Sequence, residues 1–374
     1  MFSAPARLAW LDALRGPAAL AVTLHHAGWT FAPGLWAEVD RRIDFGAFGV
    51  FVFFLVSGYI IPASLERRGD VRAFWTGRAF RLLPLLISVC GLVLLLAQAG
   101  VLPLEPRLAD RPVPVVALGN LTMLQELLNL PPLISVTWTL SYEMAFYLIS
   151  VALFQVRQAG RSAEIAVVLA PVAVGLGLLV PQTMLGGQDD LAATLLPVAV
   201  VAAIVVTALG RGKVRTAAAV AGGLLGLGLV ILGSRGGTWQ GVIILATMFA
   251  GTAVYRAERG AVPWRTAAVA VAVVLVCGLP AKDDPGWAPA ITLAFGAFAL
   301  AFALRRRTFP RWLPWLGMIS FSVYLLHPIL LHVIPDPVLY FLVLIPLSAT
   351  TYRLIEAPAQ RLGKRLLAAG AERR

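Results

Sequence analysis

Apolar residues run along this chain in blocks of about twenty, separated by short polar connections, and that pattern sets the fold class. A membrane-spanning helix needs about 20 mostly apolar residues. Blocks of this kind occupy residues 9–29, 46–63, 82–102, 137–156, 164–180, 192–209, 216–233, 238–255, 266–281, 288–304, 314–333 and 338–354. The pairs at 164–209 and 266–304 carry the weakest signal. The expectation is therefore an all-α, polytopic transmembrane helical bundle of ten to twelve spanning helices. Residues 1–374 read as a single integral membrane domain, its motif-bearing core at about 9–366, with no separate soluble domain and no internal repeat. The longest connection, 103–136, is rich in proline and carries an apolar stretch at 115–130, which suggests a partly re-entrant or interfacial segment.

Composition agrees with the pattern. The chain is 59% hydrophobic and only 13% charged, with a mean hydropathy of +0.83, whereas soluble domains are about 25% charged. A net charge of +12 would suit a nucleic-acid partner, but the positions of the cations argue against one. Of the 31 Lys and Arg, 24 fall on alternate connections, in clusters such as Arg67–Arg68–Arg72, Arg211–Lys213–Arg215 and Arg305–Arg306–Arg307. Six lie on the other side (Arg41, Arg42, Arg107, Arg111, Arg235 and Lys282), where the loops are short and acidic. That asymmetry is the positive-inside signature. It predicts a multi-pass protein of the cytoplasmic (inner) membrane with both termini in the cytoplasm. Asp12 and Arg15 interrupt the first apolar block, so it is expected to remain as an uncleaved anchor. Cys90 and Cys277 sit inside apolar runs and read as packing residues, with no disulfide or metal spacing.

The candidate chemistry lies inside the apolar blocks. A charge at the bilayer centre costs at least ~2.5–3.5 kcal/mol and is retained where it pairs, faces water or works. The first block, "LDALRGPAALAVTLHHAGW" (11–29), holds Asp12, Arg15, His25 and His26. Eleven residues at about 100° each bring His26 back onto the Arg15 face, about 16 Å further along the helix, while His25 points about 100° away. In "FWTGRAFRLLPLL" (74–86), Arg78 and Arg81 share one face as i, i+3. Guanidinium forks of this kind suit phosphate oxygens. "VTWTLSYEMAFYLIS" (136–150) embeds Glu143 among aromatics, and "ISFSVYLLHPILLH" (319–332) sets Tyr324 and His327 at i, i+3. Ser57 lies in "SGYII" (57–61) with no base adjacent in sequence, and Glu356 at the end of the last block is expected to form a surface salt bridge.

Six stretches in order, "LDALRGPAALAVTLHH" (11–26), "FFLVSGYII" (53–61), "FWTGRAFRLLP" (74–84), "WTLSYEMAFYLI" (138–149), "ISFSVYLLHP" (319–328) and "RLIEAPAQRL" (353–362), resemble the acyltransferase-3 family of integral membrane acyltransferases. The resemblance covers about residues 9–366, with Ala13 in place of a usual glycine and Pro17 just after the arginine. It implies transfer of an acyl group, often acetyl, from cytosolic acyl-CoA to a hydroxyl of a cell-envelope or secreted carbohydrate. The family's arginine–histidine pair maps onto Arg15 and His26, its arginine pair onto Arg78 and Arg81, and its glutamate onto Glu143. The resemblance thus implies His26 as general base or transient acyl carrier, with Arg15 and Glu143 beside it in the catalytic set. Arg78 and Arg81 would hold the acyl-CoA phosphates, and Asp12, Ser57, Tyr324 and His327 would be supporting positions. The expected partners are the acyl-CoA donor, a carbohydrate or glycosylated small-molecule acceptor, and the lipid bilayer, with no nucleic acid, no permanently bound cofactor and no metal. Many members carry an extra hydrolase-like domain; none is visible here, so a stand-alone transferase is expected. The competing class is a polytopic transporter or flippase for an envelope glycan or small anionic metabolite. Buried Arg, His and Glu would serve it equally, but matched interrupted helices in two halves are not apparent.

Overall fold

The computed structural model describes residues 9–180, 185 and 190–372. Arg7, Arg373, Arg374 and most of the acidic connection at 186–190 lie outside the described residues. Those described are helical throughout, with no strand: α1 (Ala9–Phe31), α2 (Pro33–Asp40), α3 (Phe45–Arg68), α4 (Val71–Gln98), α5 (Val113–Leu121), α6 (Trp138–Gln155), α7 (Ser162–Leu179), α8 (Asp190–Leu209), α9 (Gly212–Gly233), α10 (Thr238–Glu258), α11 (Trp264–Gly278), α12 (Trp287–Ala303), α13 (Trp312–Val333), α14 (Pro337–Thr351) and α15 (Ala357–Glu372). Every predicted apolar block is a helix. Among the described residues, nine helical stretches are long and apolar enough to cross a membrane, the last running through α14 into α15. α11 and α12 are apolar but shorter, at 15 and 17 residues. α1 has the length, at 23 residues, but falls outside those nine stretches; it carries Asp12 and Arg15. Pro17 does not interrupt it.

Local chemistry places the helix ends. α3 stops at Gly69, whose φ of +63° is a left-handed turn that glycine accepts at no steric cost. The next residue, Asp70, then starts α4 by accepting a hydrogen bond from the Arg72 N–H at 2.8 Å. This one-turn reversal sets the arginines at the end of α3 beside the start of α4. Asp44 caps α3 in the same way through the Ala47 N–H, and Asp336 caps α14 through the Leu339 N–H.

α10 is the central helix: Val242–Ala246 has no solvent exposure, and α3, α7 and α11 pack around it. α1 and α13 pack intimately and run in the same direction, since Gly317 meets Asp12 at one end and His327 meets His26 at the other. A Cβ on Gly317 would stand 2.0 Å from the Asp12 carbonyl oxygen. Only a glycine allows this approach, the small-residue packing expected where no hydrophobic drive joins helices in lipid. The long connection at 103–136 folds as α5 and short turns whose Leu124, Leu127 and Leu130 are wholly buried.

Candidate functional site

A cavity of about 740 Å³ lies between α1, α3, α4, α6 and α13. Its wall carries Arg15, Ser57, Arg78, Arg81, Glu143 and Tyr324, with Phe53, Phe54, Leu140 and Phe321 as apolar lining. These six polar residues are spread over more than 300 positions of sequence, and the bundle brings all of them to one space.

Each is held by its neighbours. Glu143 accepts a hydrogen bond from the Tyr147 hydroxyl one turn along α6, and its Oε1 lies 3.5 Å from Ser57 Oγ. Tyr147 in turn carries the Arg78 guanidinium over its ring at 5.2 Å, and Phe74 carries it at 5.4 Å, so Arg78 is buried but stabilised by two aromatic faces. Arg15 stands 3.7 Å from Asp12, one turn earlier in α1; Asp12 itself is not part of the wall. The Tyr324 hydroxyl donates to the Val136 carbonyl at 2.8 Å and lies 3.0 Å from Thr139 Oγ1. Tyr324 is thereby fixed inside the bundle rather than at an interface.

His26 is not in the wall. The sequence places it on the Arg15 face, and α13 packs along that face, but three turns carry it beyond the cavity. There it meets His327: His327 Nε2 lies 3.3 Å from His26 Nδ1, the rings 5.0 Å apart, and the Tyr324 ring is 5.9 Å from that of His327. Backbone carbonyls assign the tautomers, since a carbonyl only accepts. His327 Nδ1 is 3.2 Å from the Val323 oxygen and His26 Nδ1 is 2.9 Å from the Val22 oxygen. Both Nδ1 atoms therefore carry the hydrogen. His327 Nε2 then shares the His26 Nδ1–H with the Val22 carbonyl as the more distant acceptor, and His26 Nε2 carries the lone pair.

His25 diverges as the helical spacing predicts. Its Nδ1 lies 3.3 Å from Asp40 and 3.5 Å from Asp44, and one ligand atom from each of the three falls within 4.8 Å of the others. No spacing along the chain points to such a cluster. Lys282 stands 3.8 Å from Asp44 and 2.8 Å from Asp284. Burial, with repulsion from Asp44 and Asp284, raises the Asp40 carboxyl to about 6, with Lys282 opposing.

Glu356 corrects the expectation of a surface salt bridge. It is 3% exposed and accepts a hydrogen bond from Ser322 of α13. The chain between α14 and α15 forms a π-helical turn at Tyr352–Glu356, and Glu356 faces inward onto Ser322. π turns are frequent at functional sites, and the apolar neighbours in "RLIEAP" were the available sequence signal. Cys90 is buried and Cys277 half-buried, and both are free.

Comparisons with curated proteins and with solved structures give no match. A family model described as an acyltransferase domain (acyltransferase-3) matches residues 8–352, nearly the whole chain, and takes in the cavity, His26 and His327. This chain belongs to the acyltransferase-3 family of membrane acyltransferases.

Proposed function

We propose that the chain transfers an acyl group, acetyl in the simplest case, from cytosolic acyl-CoA to a hydroxyl of a cell-envelope or secreted carbohydrate, from within the cytoplasmic membrane. The observation that carries this reading is a cavity with three arginines and a glutamate in its wall, whose Tyr324 packs against His327, the partner of His26.

The chemistry follows from the assigned tautomer. In the direct route, His26 Nε2 removes the acceptor's hydroxyl proton as its oxygen attacks the thioester carbon. The C–S bond then breaks, and the proton passes from His26 to the departing CoA thiolate. In the two-step route, Nε2 itself attacks the thioester carbon and the C–S bond breaks, releasing the CoA thiolate and leaving an acyl-imidazolium. The acceptor oxygen then attacks the acyl carbon, the N–C bond breaks, and the hydroxyl proton passes to the thiolate. Both routes place positive charge on the imidazole, and His327 Nε2, accepting from Nδ1–H, stabilises that charge. Arg15, in the cavity wall about three turns from His26, would contact the donor's arm on its way to the reacting carbon. Glu143, tied to Ser57 and Tyr147, would position Arg78, and Arg78 with Arg81 would hold the donor's anionic part.

The test uses purified protein and radiolabelled acetyl-CoA without acceptor, following protein-bound label and free CoA, with His26→Ala and His25→Ala beside wild type. Label retained by wild type and His25→Ala but not by His26→Ala establishes the acyl-histidine route. Transfer to added glycan that depends on His26, without retained label, establishes the direct route. Consumption unaffected by His26→Ala overturns the assignment.

A further inference from the structure

A second cavity, of about 750 Å³, opens between the end of α3, the start of α4 and α15. It shares Ile60, Arg78 and Arg81 with the first cavity, and adds Arg67, Arg68 and Lys364. Five cations from three helices thus converge on one groove, and no carboxylate lines it. The nearby acids are engaged elsewhere: Glu66 with Arg256, Asp70 with the Arg72 N–H, and Glu356 with Ser322. Among the described residues none of the five forms an ion pair, and Arg68 reaches only the Ala73 carbonyl at 3.1 Å. Topology needs positive charge on this side of the protein, but it does not need the charges gathered round a hollow, where they repel one another. α15 is seated firmly: a Cβ on Gly363 would come 2.8 Å from the Phe80 Cβ of α4. Lys364 is therefore held over the groove by a helix that lies beyond the family match at 8–352.

We propose that this groove binds the phosphate groups at the nucleotide end of the donor, with Arg67, Arg68 and Lys364 as its outer contacts, an assignment that rests on the acyl-CoA reading above. The polyanion settles the unpaired cations, and Arg78 and Arg81, common to both cavities, mark where the donor's arm passes inward. Guanidinium and ammonium groups bind phosphate strongly when they converge on it. An anionic phospholipid headgroup presents the same chemistry, so the experiment separates the two.

The full chain is reconstituted in phosphatidylcholine vesicles, with or without phosphatidylglycerol, as wild type, Lys364→Arg and the double variant Arg67→Glu/Lys364→Glu. KM is measured for acetyl-CoA and for S-acetylpantetheine, which lacks the nucleotide, and binding of adenosine 3′,5′-bisphosphate is measured directly. The expected result is a KM for acetyl-CoA raised about tenfold or more in the double variant, with S-acetylpantetheine within about twofold of wild type. The bisphosphate should bind wild type and Lys364→Arg but not the double variant. Equal effects on both donors, or none on either, overturn the proposal. So does a wild type that ignores the bisphosphate but loses stabilisation by phosphatidylglycerol on charge reversal, which would make the groove a headgroup site. A wild type that turns over neither donor yet binds the bisphosphate through Lys364 supports the groove and sinks the acyltransfer reading alone.

Discussion

His327 Nε2 lies 3.3 Å from His26 Nδ1, across 301 residues of sequence, as a second acceptor beside the Val22 carbonyl for the one Nδ1–H. In a hydrolase triad a carboxylate orients the base and stabilises its imidazolium. Here a wholly buried neutral imidazole takes that place. It adds no charge to the resting site and responds only when His26 becomes cationic. His327→Leu should therefore lower kcat by about 10²-fold, within the range of a base-catalysis contribution, with KM for acetyl-CoA within about twofold. His327→Gln, which offers an acceptor oxygen, should recover much of the loss. Steady-state kinetics of both variants decides the matter, and a rise in KM with kcat intact would make His327 a binding residue instead.

The Ser322–Glu356 bond ties α13 to the π turn after α14. A hydrogen bond to a charged group contributes about 1.5–3 kcal/mol. Ser322→Ala should lower stability by about that amount, and Glu356→Gln by a similar or smaller one. If the two act through one bond, the double variant Ser322→Ala/Glu356→Gln should lose clearly less than the sum of the singles. Denaturation midpoints of the four proteins in one detergent give the coupling directly. Simple additivity would mean the bond contributes nothing.

The helices were readable from sequence, and their partnerships were not. Spans of apolar residues are local, so each of the twelve blocks appears as a helix, although α4 begins at Val71, eleven residues before its apolar block at 82–102. The divergence of His25 from His26 was also readable, because it follows from 100° per residue on one regular helix. Glu356 was expected at the surface because it ends the last apolar block, but a π turn lies there and the carboxylate is buried against Ser322. Which helices meet depends on close approaches such as Gly317 to Asp12, and no periodicity reports those. For that reason Arg15, Ser57, Arg78, Arg81, Glu143 and Tyr324 could be picked out singly, while their common cavity and the His26–His327 contact appear only in the folded chain.

Asp40 gives the cluster around His25 a pH signature. Its carboxyl is raised from the ordinary 3.8 to about 6, so the folded protein holds this proton more tightly than the unfolded chain does. Linkage then sets the sign: no penalty below about pH 4, a growing loss of stability between 4 and 6, and a constant loss above. Asp40→Asn keeps the shape without the charge. The difference in Tm between Asp40→Asn and wild type should be near zero at pH 4, rise across that window and level off above it. A difference independent of pH, or one that shrinks toward neutrality, would contradict the assignment.

Gly317 offers the sharpest structural test, because its neighbour is backbone that cannot swing aside. A Cβ at 317 would stand 2.0 Å from the Asp12 oxygen, so Gly317→Ala must push α13 away from α1. Overpacking of this kind costs about 1–3 kcal/mol, and here the displaced helices are the two that carry His26 and His327. Gly228 of α9 is the control, since a Cβ there meets nothing within 4 Å. Gly228→Ala should gain up to about 1 kcal/mol from helix propensity and leave activity unchanged. Gly317→Ala should lose both stability and kcat. Adding His327→Leu to Gly317→Ala should then cost much less in kcat than it does in wild type, because the contact it removes is already broken. Full additivity of the two losses in kcat would show that the helix spacing matters for folding but does not reach the histidine pair.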